Sequence, residues 1–517
     1  MTKPIRILWT DDEIDLLKPY ILFLEEKGYS VDTSSNGEEA IEKVGNETYN
    51  LIFLDENMPG LSGLETLERI KNLVPSVPVI MITKSEEEDI MDEAIGSKIA
   101  DYLIKPVNPK QILLTIKKHI DSKRLVTQKT TSAYQVQFSQ IGSLINEARS
   151  FEDWVSVYQK LVFWEQELES SEESGMNEVL AMQWSEANSE FTRFIKSNYV
   201  DWFSGSSENK PILSPQVFTE AVFPLLDKGK VAVLVIDNLR YDQWKLIENQ
   251  INELFRVEDE MIYCSILPTA TQYARNAMFS GLMPAEISKL KPEYWISEEE
   301  DRGKNLYEEE LLKYQMKRKG LGHTMHYEKI SNLKHGKKVV DNFSDLMNYD
   351  LNVLVYNFVD MLSHARTEMD VIRELAYDDK SYRALTLTWF NNSYLLDFIR
   401  LLSENNVQLV LTTDHGAVRV QRPVKVVGDR HTSANLRYKQ GRNLSFKKGE
   451  VFEIDQPDKV HLPMTNVSTS YIFAGSDDYM VYPNNYNHYV NHYRNTFQHG
   501  GISLEEMVIP CAVLMPR

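Results

Sequence analysis

The chain has 517 residues, a formal net charge of −20 and only two cysteines, Cys264 and Cys511. That charge repels a long phosphate backbone, so duplex DNA is excluded as the main partner, while a small phosphorylated ligand held beside a metal ion stays compatible. Two distant cysteines exclude a disulfide framework and a cysteine metal site, and no apolar run approaches the roughly 20 residues of a membrane span, which predicts a cytoplasmic protein without membrane insertion.

Residues 1–120 alternate short strand and helix patterns. IRILWT (5–10), NLIFLD (50–55), VPVIMIT (77–83) and ADYLIKP (100–106) read as strands, with helical spacing between them in IDLLKPYILFLEEKG (14–28) and GEEAIEKVGN (37–46). This predicts a doubly wound parallel sheet. From about Pro109 to Phe203 the pattern turns helical, with no proline between Pro109 and Pro211 and one break at SSEESGMN (170–177), and predicts a connector bundle (121–203) with Trp154, Trp164 and Trp184 in its core. The polar stretch SGSSENKPILSP (204–215) opens a domain that runs to 517, where apolar strands again alternate with helices. Its acidic stretch 297–314 reads as a solvated helix or loop. The whole chain is therefore expected to be an α/β multidomain protein.

Two sets of residues carry chemistry. In the first domain Asp11 and Asp12 end the first strand, Asp55 the third and Thr83 the fourth, and Lys105 follows the fifth. A doubly wound sheet brings these to its carboxyl edge, where clustered carboxylates suit Mg²⁺ and Asp55 can attack a phosphoryl donor with Lys105 offsetting charge. In the last domain Asp237 follows VAVLVI, Asp360 and His364 follow LNVLVYNFV, Asp414 and His415 follow VQLVLTT, and His499 lies in QHGG. Asp360 and His364 are spaced to share one helix face, and carboxylate with imidazole suits zinc. The Thr-rich turn LPTAT (267–271) could present a hydroxyl nucleophile, so two metal ions and phosphoryl transfer are expected.

The ordered series DD, D-x-N-M-P-G, T and K-P over residues 1–120 resembles the receiver domain of two-component response regulators, a flavodoxin-like fold. The resemblance implies Asp55 as phosphoacceptor, Mg²⁺ held by Asp12, Asp55 and the backbone of Asn57 with help from Asp11, phosphoryl contacts from Thr83 and Lys105, and Tyr102 at the switch position. It also implies a sensor histidine kinase as partner.

Strand–Asp, P-T-x-T, D-x-x-x-H, D-H-G and H-G-G-x-S-x-E-E-M, in that order, resemble the alkaline phosphatase superfamily, nearest to its nucleotide pyrophosphatase/phosphodiesterase branch and to PglZ-type domains. This implies one zinc on Asp360, His364 and His499 and another on Asp237, Asp414 and His415, with Thr271 as nucleophile on the second ion. Arg275, His431, Arg437, Tyr438 and Lys439 are expected to approach a phosphate or a base. Together the regions resemble the PorX-type response regulators: a receiver (1–120), a helical connector (121–203) and an alkaline-phosphatase-like domain (204–517). That resemblance implies a zinc phosphodiesterase acting on small nucleotides, a role in type IX secretion and a phosphorylation-linked homodimer. The alternative is a phosphorylation-switched scaffold that binds a transcription factor or a secretion component with little turnover.

Overall fold

The computed structural model describes residues 5–84, 99–169, 174–205, 209–298, 300, 302–429 and 432–517. They divide into two compact units, one running to Ala133 and one of Tyr134–Glu169 with Ser174–Arg517.

The first unit holds a five-stranded sheet of β1 (Arg6–Thr10), β2 (Ser30–Ser34), β3 (Leu51–Asp55), β4 (Val79–Thr83) and β5 (Asp101–Ile104) in the order β2-β1-β3-β4-β5. Every pairing is parallel. β3 and β4 are buried along their full length, as expected of apolar strands covered on both faces. Successive side chains feed opposite faces. Trp9 and Phe53 enter a core with Ile112 and Ile116, whereas Leu8 and Leu54 enter another with Leu67 and Ile70. Capping sets the helix starts: Asn36 accepts from the Glu39 amide, and Ser62 with Glu65 forms a capping box. The carboxyl ends of β1, β3, β4 and β5 are thereby fixed at one edge.

The second unit is built on a six-stranded sheet of β6 (Val231–Ile236), β7 (Phe255–Cys264), β8 (Met325–Ile330), β9 (Leu351–Tyr356), β10 (Gln408–Thr412) and a C-terminal strand, Val508–Pro516. The order is β7, C-terminal strand, β10, β6, β9, β8. The four strands from β10 to β8 run parallel, and the C-terminal strand is antiparallel to both its neighbours. In β6, Val231, Val233 and Val235 face one core and Ala232, Leu234 and Ile236 face the other.

That second core also contains Trp154, Trp164 and Phe191 from the helices Phe151–Glu169 and Ser174–Asn198, and Tyr199 just past the second. From Tyr134 on, the connector therefore packs as one layer of the α/β unit rather than as a bundle around a core of its own. The physical reason is that the sheet's second face needs apolar cover and these helices supply the aromatic side chains that give it.

The acidic stretch also departs from expectation. Helix Glu308–Arg318 buries Glu308, Leu311, Leu312 and Gln315, because its apolar positions pack against helix Thr271–Ser280 and Glu308 finds a cation there. Among the described residues, no helix is long and apolar enough to cross a membrane.

Candidate functional site

Among the described residues, three groups of side chains could each hold a metal ion: Asp11, Asp12 and Asp55; Asp237, Asp414 and His415; and Asp360, His364 and His499. Within each group, one donor atom per residue lies within 4.8 Å of the others.

The first group sits at the carboxyl edge of the five-stranded sheet. Asp11 and Asp55 are buried and Asp12 is exposed. Lys105 reaches across with Nζ 2.8 Å from Asp11 Oδ2 and 3.0 Å from Asp55 Oδ1. Burial raises the Asp55 carboxyl, and Lys105 opposes that rise. Burial likewise works against the charge on Lys105, but the two carboxylates win and hold its ammonium above the ordinary range. Thr83 ends β4 and is buried at the same edge, Asn57 is exposed two residues past β3, and Tyr102 on β5 is 40% exposed.

The other two groups adjoin at the carboxyl edge of the larger sheet. Asp237 follows β6, Asp360 lies in the first turn after β9, and Asp414 and His415 follow β10. His415 and His499 stack with centroids 4.2 Å apart, which brings the two groups edge to edge. His364 Nε2 and His499 Nε2 each lie 3.6 Å from Asp360 Oδ1. Asn238, in the left-handed region at φ 66°, ties the groups together: its amide donates to Asp414 Oδ1 and its side chain to Asp360 Oδ1, both at 3.4 Å. Asparagine tolerates that conformation better than most residues.

The imidazoles are preset. His415 Nδ1 lies 3.2 Å from the Gly416 carbonyl and His499 Nδ1 lies 3.2 Å from the Thr269 carbonyl. A carbonyl only accepts, so each Nδ1 carries the proton and each Nε2 turns a lone pair to the site. Burial lowers both rings to about 4, which keeps them neutral at physiological pH. Burial first, and then Asp237, raises Asp414 to about 8. Burial would raise Asp237 too, but Arg275 and His415 hold it below the ordinary range. Asp414 Oδ2 is buried with no hydrogen-bond donor. Neutral imidazoles, crowded carboxylates and an unsatisfied buried oxygen are a donor set suited to a divalent cation.

The LPTAT turn is fixed by its first threonine. Thr269 Oγ1 donates to the Gly501 carbonyl at 2.9 Å and accepts from the Gly500 amide at 3.0 Å. Thr271 opens helix Thr271–Ser280 and points the other way, with Oγ1 3.1 Å from His415 Nε2 and 3.4 Å from Asp237 Oδ1. Of the two hydroxyls, only that of Thr271 faces the carboxylates and imidazoles.

The expected substrate contacts are placed differently. Arg437, Tyr438 and Lys439 are buried and internally partnered: Arg437 pairs with Glu506, Tyr438 donates to Glu298 and Lys439 to the Ser433 carbonyl. Arg275 is turned onto the carboxylates of Asp237 and Glu308. Cations in so acidic a chain find carboxylates inside it before they find a ligand. His431 lies outside the described residues.

Several supporting residues escaped the sequence reading. Tyr199, just past helix Ser174–Asn198, accepts at its OH from the Leu267 amide at 2.8 Å, so the connector pins the threonine turn. Asn188 of that helix donates to Glu505 and accepts from the Leu504 amide, and Glu506 accepts from the Gly501 amide. The paired glutamates of H-G-G-x-S-x-E-E-M were the only signal of this, since they brace the loop that carries His499.

A receiver-type sheet followed by a second sheet with a carboxylate and imidazole edge defines a class: a response regulator with an alkaline-phosphatase-like output domain. The chain belongs to the PglZ alkaline phosphatase-like family, whose model, described as the BREX system PglZ alkaline phosphatase-like domain, matches residues 217–514. The PorX response regulator linker domain matches residues 124–203 and the response regulator receiver domain residues 7–117, which together make the PorX-type architecture. The chain is 34% identical over 138 residues to the transcriptional regulatory protein ZraR of Klebsiella oxytoca, covering 27% of this chain and 31% of that one. It is 40% identical over 114 residues to a CpxR homolog of Haemophilus influenzae, covering 22% and 48%. It thus spans less than half the length of these curated relatives. Among solved structures, a CheY-like receiver domain protein from Methanospirillum hungatei is 32% identical with a TM-score of 0.23, covering 23% of this chain and 95% of that one.

Proposed function

We propose that the chain is a response regulator whose output domain is a two-zinc phosphodiesterase for nucleotide-type diesters, with Thr271 as nucleophile, working in type IX secretion. The observation that carries this reading is the Thr271 hydroxyl, 3.1 Å from His415 Nε2 and 3.4 Å from Asp237 Oδ1, with the Asp360, His364 and His499 group alongside. Asp237, Asp414 and His415 would hold one zinc and Asp360, His364 and His499 the other. When bound, the two ions supply Lewis-acid stabilisation to the phosphoryl oxygens and to the oxygens that enter and leave.

The protein's own part is to place and discharge the nucleophile. Thr271 Oγ1 forms a bond to phosphorus while the bond to the leaving alkoxide breaks; the hydroxyl proton leaves to solvent and the alkoxide takes a proton from solvent, departing as the alcohol. Water then cleaves the phosphothreonine, returning the hydroxyl and releasing a monoester. The N-terminus of helix Thr271–Ser280 directs its positive dipole at the phosphoryl group. His364, with its side chain 63% exposed, marks the open side through which a diester enters.

In the receiver, a sensor histidine kinase would phosphorylate Asp55. Asp11, Asp12, Asp55 and the Asn57 backbone would hold Mg²⁺, Lys105 and Thr83 would meet the phosphoryl group, and Tyr102 would switch with it. A phosphorylation-linked homodimer in the cytoplasm completes the proposal.

The test is hydrolysis of bis(p-nitrophenyl) phosphate by zinc-loaded wild type and Thr271→Val, beside the corresponding monoester. Turnover of the diester, lost in the variant, is expected. Equal rates in both proteins, or none in either, would refute the enzyme and favour a scaffold that binds a transcription factor or secretion component.

A further inference from the structure

Arg275 is a buried cation of the second unit, 1% exposed and one helical turn past Thr271. Its Nη1 lies 2.6 Å from Asp237 Oδ2 and 3.6 Å from Asp414 Oδ2, and its Nε lies 2.6 Å from Glu308 Oε1. Glu308, itself 1% exposed, is secured on its other oxygen by the Tyr327 hydroxyl, with Lys329 at 3.9 Å. The two oxygens of Asp237 are thus divided. Oδ2 is taken by the guanidinium, while Oδ1 faces Thr271 at 3.4 Å and His415 at 3.9 Å.

We propose that Arg275 is a positioning residue for the Asp237–Asp414–His415 metal site, held by Glu308, and that it makes Asp237 offer Oδ1 alone to the metal. The proposal rests on the two-metal reading above. Two buried carboxylates this close repel each other, and a single guanidinium wedged against Oδ2 of both offsets that repulsion before any metal arrives. Arginine suits the task because its planar fork meets carboxylates along separate edges, whereas a lysine ammonium is a single point charge. Glu308 gives the inserted acidic segment a purpose. It fixes the guanidinium from behind, as an outer carboxylate fixes a ligating histidine.

The experiment is zinc stoichiometry and affinity by chelator competition on full-length wild type, Arg275→Met, Arg275→Lys and Glu308→Gln. Removing outer-sphere support costs about 10–100-fold in metal affinity. The expected result is that loss at one of two equivalents in Arg275→Met, a smaller loss in Glu308→Gln, partial recovery in Arg275→Lys, and an unchanged other equivalent. Glu308→Gln keeps the hydrogen-bond acceptor and the shape, so it answers even if Arg275→Met fails to fold. Two equivalents of unchanged affinity in the Arg275 and Glu308 variants would overturn the proposal alone. Tighter binding in Arg275→Met would overturn it too, since Arg275 would then compete with the metal. Wild type that takes up no zinc would instead bring down the two-metal reading, and this proposal with it.

Discussion

At the edge of the five-stranded sheet Asp11 and Asp55 share a lysine, while at the edge of the six-stranded sheet Asp237 and Asp414 share an arginine. Both clusters sit where parallel strands end, the usual ligand edge of such sheets. Their surroundings differ. Lys105 has a side chain 15% exposed on a flexible stem, Asp12 is open to water, and the donors are all oxygens. Arg275 is 1% exposed and fixed by Glu308, and two neutral imidazoles join the carboxylates. An oxygen-only, half-open site suits a hard cation that keeps its waters and exchanges freely. A buried mixed site suits a resident borderline metal. On the proposed two-metal reading, the same edge of the same kind of sheet would hold a transient ion in one unit and a longer-lived one in the other.

The sharpest way to break this comparison is at Thr271. Thr271→Val should lower diester turnover by at least about 1000-fold, as loss of a nucleophile does elsewhere, while Thr271→Ser keeps most of it. Asp55→Asn should abolish phosphoryl uptake from a small phosphoryl donor, read by intact mass, and leave zinc content unchanged. Zinc lost in that variant would mean that the two clusters are not separate sites. A third measurement separates the ions themselves. If the proposed metals are right, gel filtration into metal-free buffer should strip magnesium supplied to the receiver and stop phosphorylation, whereas two equivalents of zinc loaded on the output domain should survive until a strong chelator is added. Zinc that leaves on gel filtration alone would erase the contrast.

How much of this was legible depended on periodicity and order. The strand ends carrying Asp55, Asp237, Asp360 and Asp414 were readable because apolar runs ending in an acid are local signals. Thr271 was separable from Thr269 only through its place in an ordered series, and the structure adds the cause, since Thr269 is tied to Gly500 and Gly501. The bracing was not legible. Tyr199 to Leu267 spans 68 positions and Asn188 to Glu505 spans 317, and no local pattern encodes such pairings. Glu308 shows a related limit: charge in sequence looks solvated until a partner 33 positions away is brought beside it. Helical spacing shows which face of the connector is apolar and not what covers it.

The smallest expected effect tests that bracing by pH. Burial raises Glu505 from an ordinary 4.5 to about 7, although Asn188 donates to both its oxygens, at 3.0 and 3.3 Å. A folded-state value above the unfolded one means the native protein holds this proton more tightly. The stabilisation is therefore complete below about 4.5 and is lost as pH rises through about 7. The shift corresponds to at most about 3 kcal/mol. Glu505→Gln keeps the shape and an acceptor for Asn188 but cannot ionise. In urea denaturation between pH 5 and pH 8, wild type should lose stability relative to Glu505→Gln as pH rises. Parallel curves would mean that Glu505 is ionised without penalty, and that the connector is joined to the His499 loop by an ordinary charged contact.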